Sequence, residues 1–222
     1  TQDSSAPSGT GLANSIKLDC TTADTSIAAD ELTIIGQSIE GQNLQTIQKG
    51  TSSAVPITVS FYAKANASAT YVAELFDHDN TRNNTRAFTV GTDWARVELT
   101  FIPDTTGTLD DDNAASLTFQ IWLHAGSTYS GGTFSDNTWQ SVTAANRYAG
   151  SRTSIFDSTS RELFLTGLQL EVGQNPTEFE NIKFQDELIR CYRYFQKSYD
   201  YARSPGYSES STGSHTRMWL AN

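Results

Sequence analysis

The chain of 222 residues is poor in charge: only 18% of it is Asp, Glu, Lys or Arg. The few charges are also unbalanced. Fifteen basic residues face twenty-five acidic ones, for a net charge of −10. A nucleic-acid partner is excluded on this ground, because neutralising phosphates takes clustered Lys and Arg. No apolar run approaches the length of a membrane span, so membrane insertion is not expected. Cysteine is nearly absent. Cys20 and Cys191 are too few for a disulfide framework or a thiolate zinc site, and they read as two buried or half-buried thiols. Three histidines, His78, His124 and His215, fall in no metalloprotease pattern. There is no G-x-S-x-G elbow and no phosphate-cradling loop. The acids are numerous enough to supply a carboxylate pair by chance, so their abundance does not argue for a glycosidase. The chain therefore reads as a non-enzyme.

What is present is polar, weakly charged and aromatic. Ser, Thr, Asn and Gln are plentiful, and Phe, Trp and Tyr make up 11% of the residues. This balance suits β structure carrying decorated loops. Alternation confirms the period. In PITVSFYAKA, Ile57, Val59, Phe61 and Ala63 share one face, and Thr58, Ser60, Tyr62 and Lys64 share the other. TYVAELFD places Tyr71, Ala73 and Leu75 together. WARVELTFIPD turns Val97, Leu99 and Phe101 inward. SLTFQIWLHAG sets Leu117, Phe119, Ile121 and Leu123 against Thr118, Gln120, Trp122 and His124. ELFLTGLQLEVG aligns Phe164, Leu168, Leu170 and Val172. Turn signals separate these runs at Lys49-Gly50, 80–84, Gly91, 104–113, Gly131-Gly132 and 173–176. At least six strands at this spacing predict an all-β fold, an antiparallel two-sheet jelly-roll sandwich.

The ends differ from the middle. Residues 1–15 are small and polar without periodicity, and read as a linker or arm. The jelly roll is expected over 16–180. Near the C-terminus, Phe184, Leu188, Tyr192 and Phe195 recur at helical spacing, with Asp186 and Glu187 at the favourable N-terminal end. A short packing helix is expected over 181–201. Residues 202–222 read as the start of a further segment or tail.

Two kinds of site are expected. Sugar-binding sandwiches use rings that stack on pyranose faces, with amides and acids bonding hydroxyls. Tyr62, Trp122 and His124 fall on the polar faces of their strands. Tyr129, Phe134, Trp139 and Tyr148 lie in the long loop over 125–160. These seven form the candidate ligand surface. The competing expectation for each ring is core or subunit packing. Asp110, Asp111, Asp112 and Asn113, with Asp77, Asp79 and Asn80 as a second group, could supply oxygens to a structural Ca²⁺, although their spacing is not that of an EF-hand.

TGLQLEVG, PTEFE and ELIRCYRYFQKSYDY, in that order, resemble a segment of bacteriophage tail-fibre and related virion appendage proteins. The matching positions are Leu168 to Gly173, Thr177 to Glu180, and Cys191, Arg193, Tyr194 and Phe195. IGQSIEGQNL, ITVSFYAKA, DWARVELTFIPDTTG and WLHAGSTY fit the same pattern upstream, so the likeness covers about residues 32–201. It implies a carbohydrate-binding jelly roll in an external appendage of the virion. It further implies a homotrimer, other virion proteins as neighbours, and attachment to host surface polysaccharide or lipopolysaccharide. The alternatives are a purely structural virion protein without a ligand, and a polysaccharide depolymerase.

Overall fold

The computed structural model describes residues 1–194. It divides the chain into two compact units, Thr1–Phe179 and a second beginning at Glu180. The first unit is a sandwich of two five-stranded antiparallel sheets. One sheet runs β1 (Gln2–Asp3), β2 (Ser15–Asp19), β10 (Glu162–Val172), β4 (Ile57–Ala65), β7 (Ala95–Phe101). The other runs β3 (Leu32–Glu40), β8 (Ala115–Ala125), β5 (Ala69–Asp77), β6 (Arg82–Val90), β9 (Gln140–Ser141). The chain changes sheets after β2, β3, β4, β6, β7 and β9, and nests the last long strand, β10, beside β2. This is jelly-roll connectivity.

The core lies where alternation placed it. Ile57, Val59, Phe61 and Ala63 of β4 meet Tyr71, Ala73 and Leu75 of β5 and Leu117, Phe119, Ile121 and Leu123 of β8. Phe61 and Phe88 pack edge to face at 5.3 Å. Tyr71 is wholly buried, its hydroxyl has no hydrogen-bond partner, and burial pushes its phenol up to about 12.

Three features depart from the sequence reading. First, β6 occupies RNNTRAFTV, a stretch expected to begin in a turn. Neighbours meet the donors of its polar residues: Asn83 donates to Glu74 Oε1 at 2.6 Å and Thr85 to the Ser135 carbonyl at 3.0 Å, while the Oδ1 atoms of Asn83 and Asn84 have no partner. Second, β10 does not alternate throughout. A bulge between Thr166 and Gln169 shifts the register, with Gly167 at φ +60°. Leu163 and Leu165 face the core before the bulge. Leu170 lies opposite Val59 after it, and Phe164 turns outward beside Lys64. Phe164 and Leu170 thus do not share a face. Third, Cys20 is buried as expected but Cys191 is exposed.

One end of the sandwich holds a buried ion cluster. Lys49 Nζ lies 2.6 Å from Asp77 Oδ2 and 3.2 Å from Asp104 Oδ2, and donates to the Thr106 and Gly107 carbonyls at 2.9 Å each. Arg82 grips both oxygens of Asp104 at 2.9 and 3.2 Å. Two cations thus balance two carboxylates. Burial alone would raise the Asp104 pKa, but Arg82, the Thr106 N–H and Lys49 outweigh it and hold the group below its ordinary value.

In the second unit, α2 spans Phe184–Tyr192, with Asp186 and Glu187 in its first turn and Arg190 in its last. None of its residues is buried, and Phe184 and Ile189 are exposed. Phe195 of the expected stripe and residues 202–222 lie outside the described residues.

Candidate binding clefts

The outer face of the β3-β8-β5-β6 sheet carries Trp122, on the strand face predicted from alternation. It is not open. Trp122 is 1% exposed. The segment 126–156 folds back across it, beginning with the short helix α1 (Ser127–Ser130). Tyr129 packs on the indole at 5.5 Å and Tyr148 stacks on it at 6.2 Å, with Phe134 beside them. The Arg147 guanidinium lies 4.6 Å above the indole and 5.0 Å from the Phe76 ring.

Beneath this lid Glu74 is fully buried and fully bonded. It accepts hydrogen bonds from Asn83 Nδ2 (2.6 Å), Gln120 Nε2 (2.5 Å), Trp122 Nε1 (2.7 Å), Arg147 Nε (2.9 Å) and Arg147 Nη2 (2.8 Å). A buried carboxylate is tolerated when it is paired and hydrogen-bonded, and this one has five donors. Tyr148 donates to the Thr153 carbonyl at 2.8 Å, and burial pushes its phenol up. The whole arrangement is a small second core.

The seven expected ligand residues therefore separate. Trp122, Tyr129, Phe134 and Tyr148 come together, but to close the lid. Trp122 and Tyr148 are too deeply buried to serve as stacking platforms. Trp139 stands apart: its Nε1 donates to the Ile102 carbonyl at 2.7 Å and its ring covers Lys49 at 5.3 Å. Tyr62 is half-buried on the outer face of the other sheet, opposite Arg96 and Thr166. His124, also buried, lines a separate pocket. A ring in a Gly- and Ser-rich loop needs a partner, and here the partner is the sheet beneath it.

The acidic turn is likewise occupied with the backbone. Asp110, Asp111, Asp112 and Asn113 are exposed. Asp112 Oδ1 accepts the Ala114 N–H at 2.9 Å, and the Asp110 N–H donates to Asp79 Oδ2 at 2.9 Å. Asp77 is engaged by Lys49 and Asn80. Among the described residues, no group of three or more His, Cys, Asp or Glu side chains is placed to hold a metal ion.

A cleft of about 450 Å³ opens instead at the β1-β2-β10 edge. Its side chains are Thr1, Gln2, Asn14, Ser15, Ile16, Leu165, Thr166 and Leu168, around Gly167 of the bulge. None is ionisable. Three hydroxyls and two amides offer donors and acceptors alike. Ile16 and Leu168 contribute exposed aliphatic surface, 57% and 45% accessible. Ser15 is 4% exposed, and its hydroxyl has no hydrogen-bond partner. An unmade bond at a buried polar group costs about 1–3 kcal/mol, so this hydroxyl is a local cost to the folded strand beneath the cleft. The size falls in the usual range for small-ligand sites, ~300–1,000 Å³. No expected ligand residue lines this cleft. Its signal in the sequence is the broken alternation at Thr166-Gly167-Leu168, which marks the bulge.

A second pocket of about 310 Å³ is lined by Asp24, Glu31, Leu32, Thr33, His124 and Phe156.

No protein-family model matches the chain, and no curated protein matches it in sequence. Solved structures do resemble it weakly. One, described as "CBM4 structure and function", is 14% identical over 68% of this chain and 87% of that one, with a TM-score of 0.33. Another, "Crystal Structure of Family 30 Carbohydrate Binding Module", is 14% identical over 84% of this chain and 80% of that one, with a TM-score of 0.41.

Proposed function

We propose that the jelly roll is a non-catalytic glycan-binding module that attaches a bacteriophage virion appendage to polysaccharide or lipopolysaccharide on its host. The observation that carries the binding is the cleft at the β2-β10 edge, whose side chains offer hydroxyls, amides and exposed aliphatic surface and no ionisable group. Its chemistry suits a neutral polyol. Amides and hydroxyls can donate to and accept from sugar hydroxyls, while Ile16 and Leu168 meet the C–H face of a ring. An ion finds no side-chain counter-charge there. The virion setting, the homotrimer and the neighbouring virion proteins rest on the order of the TGLQLEVG, PTEFE and ELIRCYRYFQ stretches. Three copies of a shallow cleft would gain strength from effective concentration.

A purely structural appendage protein is the second reading. It is favoured by the loop rings, which are spent on the lid rather than offered to solvent. Binding of the fluorescently labelled protein to a panel of bacteria, with and without enzymatic removal of surface polysaccharide, separates the two. Binding that vanishes with the polysaccharide supports attachment. Binding to no strain, by a properly assembled protein, supports the structural reading.

A further inference from the structure

The His124 pocket lies where three segments meet. His124, the last residue but one of β8, lies opposite Thr33 of β3. The loop after β2 is pinned there, because the Asp24 N–H donates to the Phe156 carbonyl at 2.9 Å. Glu31 stands at the entrance to β3, and its carbonyl accepts the Gly126 N–H at 2.7 Å. Backbone hydrogen bonds thus fix the walls before any ligand arrives.

The side chains are only partly used. Asp24 Oδ1 accepts the Ser26 N–H at 2.9 Å, leaving Oδ2 open. Glu31 Oε2 accepts the Ala28 N–H at 2.8 Å, leaving Oε1 open. His124 is 3% exposed. Its Nδ1 bonds Ser154 Oγ at 2.7 Å and its ring meets the edge of Phe156 at 5.4 Å, while Nε2 has no partner among the described residues. A deeply buried imidazole with one nitrogen open, facing a pocket with two open carboxylate oxygens, is a polar set without its complement.

The charge selects the class of ligand. Two carboxylates repel an anion. No cation of Lys or Arg lines the pocket to neutralise them. A metal ion is not favoured, because the His and acidic groups do not converge on one point. An ammonium group carried on a body that fills the pocket would serve both acids, and hydroxyls on that body could reach Thr33 and His124 Nε2. About 310 Å³ lies at the small end of ligand sites, ~300–1,000 Å³, and suits one ring rather than a chain. Phe156 and the half-exposed Leu32 supply apolar contact.

We infer that this pocket is a second, separate site that takes a primary amine borne on a hydroxylated ring of monosaccharide size, an amino sugar, with Asp24 and Glu31 as the counter-charges. It differs from the β2-β10 cleft in place and in charge, and does not depend on that cleft binding a glycan.

The test is a calorimetric titration of the full chain with D-glucosamine, run beside D-glucose and N-acetyl-D-glucosamine. The amine sugar is expected to bind about tenfold tighter than either neutral sugar, a difference the charge pairing alone would carry. Glu31→Gln and Asp24→Asn each keep the oxygen that accepts the Ala28 or Ser26 N–H, so the turns survive. Each is expected to weaken glucosamine about fivefold, in line with loss of one partly exposed ion pair, while leaving the melting temperature unchanged. Equal affinity for all three sugars, no binding of glucosamine, or glucosamine binding indifferent to both substitutions would each overturn the inference. Loss of binding in Ile16→Ala with Glu31→Gln unaffected would assign the amine to the other cleft, and would overturn it as well.

Discussion

Two regions of this sandwich carry polar groups below the surface and treat them in opposite ways. On the outer face of β8 and β5, Glu74 is buried under an aromatic lid and every oxygen is matched by donors. At the β2-β10 edge, Ser15 is equally buried and its hydroxyl is matched by nothing. A satisfied network rigidifies what it sits in, because breaking it strands a charge. An unsatisfied hydroxyl beneath an open cleft costs stability and stiffens nothing. The aromatic loop, which looks like a binding surface in the sequence, is therefore the closed region. The plain strand edge is the open one.

The sharpest way to break this contrast is at the lid. Glu74→Ala leaves Arg147 without its partner and strips the donors of Trp122, Asn83 and Gln120 of their acceptor. Removing one partner of such a buried pair costs about 3–5 kcal/mol, and chemical denaturation followed by tryptophan fluorescence would measure it. A loss under ~1 kcal/mol would mean that the lid does not depend on the carboxylate.

The ion cluster at the sandwich end provides a second, slightly smaller effect. Lys49→Met leaves Asp77 without its cation, although Arg82 still holds Asp104, so a loss of about 3 kcal/mol is expected. The acid limb should report the same cluster. The folded pKa of Asp104 is depressed. Its contribution is thus present above the unfolded-state pKa and lost as pH falls through the folded one. Melting temperature should fall with pH through the acidic range below the ordinary carboxylate value, and Arg82→Gln should move that fall to higher pH.

How much of this was legible in the sequence depends on what each residue had to satisfy. β4, β5, β7 and β8 are readable because their inward faces are apolar residues at period two, and that period survives burial. β6 is not, because Asn83 and Asn84 belong to the 80–84 turn signal, and only the fold brings Glu74 and Asn137 to them. β10 was half readable: one extra residue at Gly167 reverses which side chains face inward, and a fixed period of two carries Phe164 to the wrong side. Trp122 was placed on the correct face, but nothing local in the strand announces that a segment beginning at Gly126 will cover it. The clefts were the least visible. Ser15 and Thr166 are separated by most of the chain, and only the pairing of β2 with β10 makes them neighbours. Within β8, alternation marks His124 as part of a ligand surface and gives no sign that it walls a pocket with Asp24 and Glu31.

The most direct measurement is amide chemical-shift mapping of the isotope-labelled protein, titrated with a panel of neutral oligosaccharides and repeated on Ile16→Ala. Shifts should gather at Gln2, Asn14, Ser15, Ile16, Thr166 and Gly167. In Ile16→Ala they should need several-fold more ligand, while stability changes little, since Ile16 is 57% exposed. Shifts gathered instead at Tyr129, Phe134 and Tyr148, or no shifts with any sugar, would contradict the assignment of the open edge as the binding site.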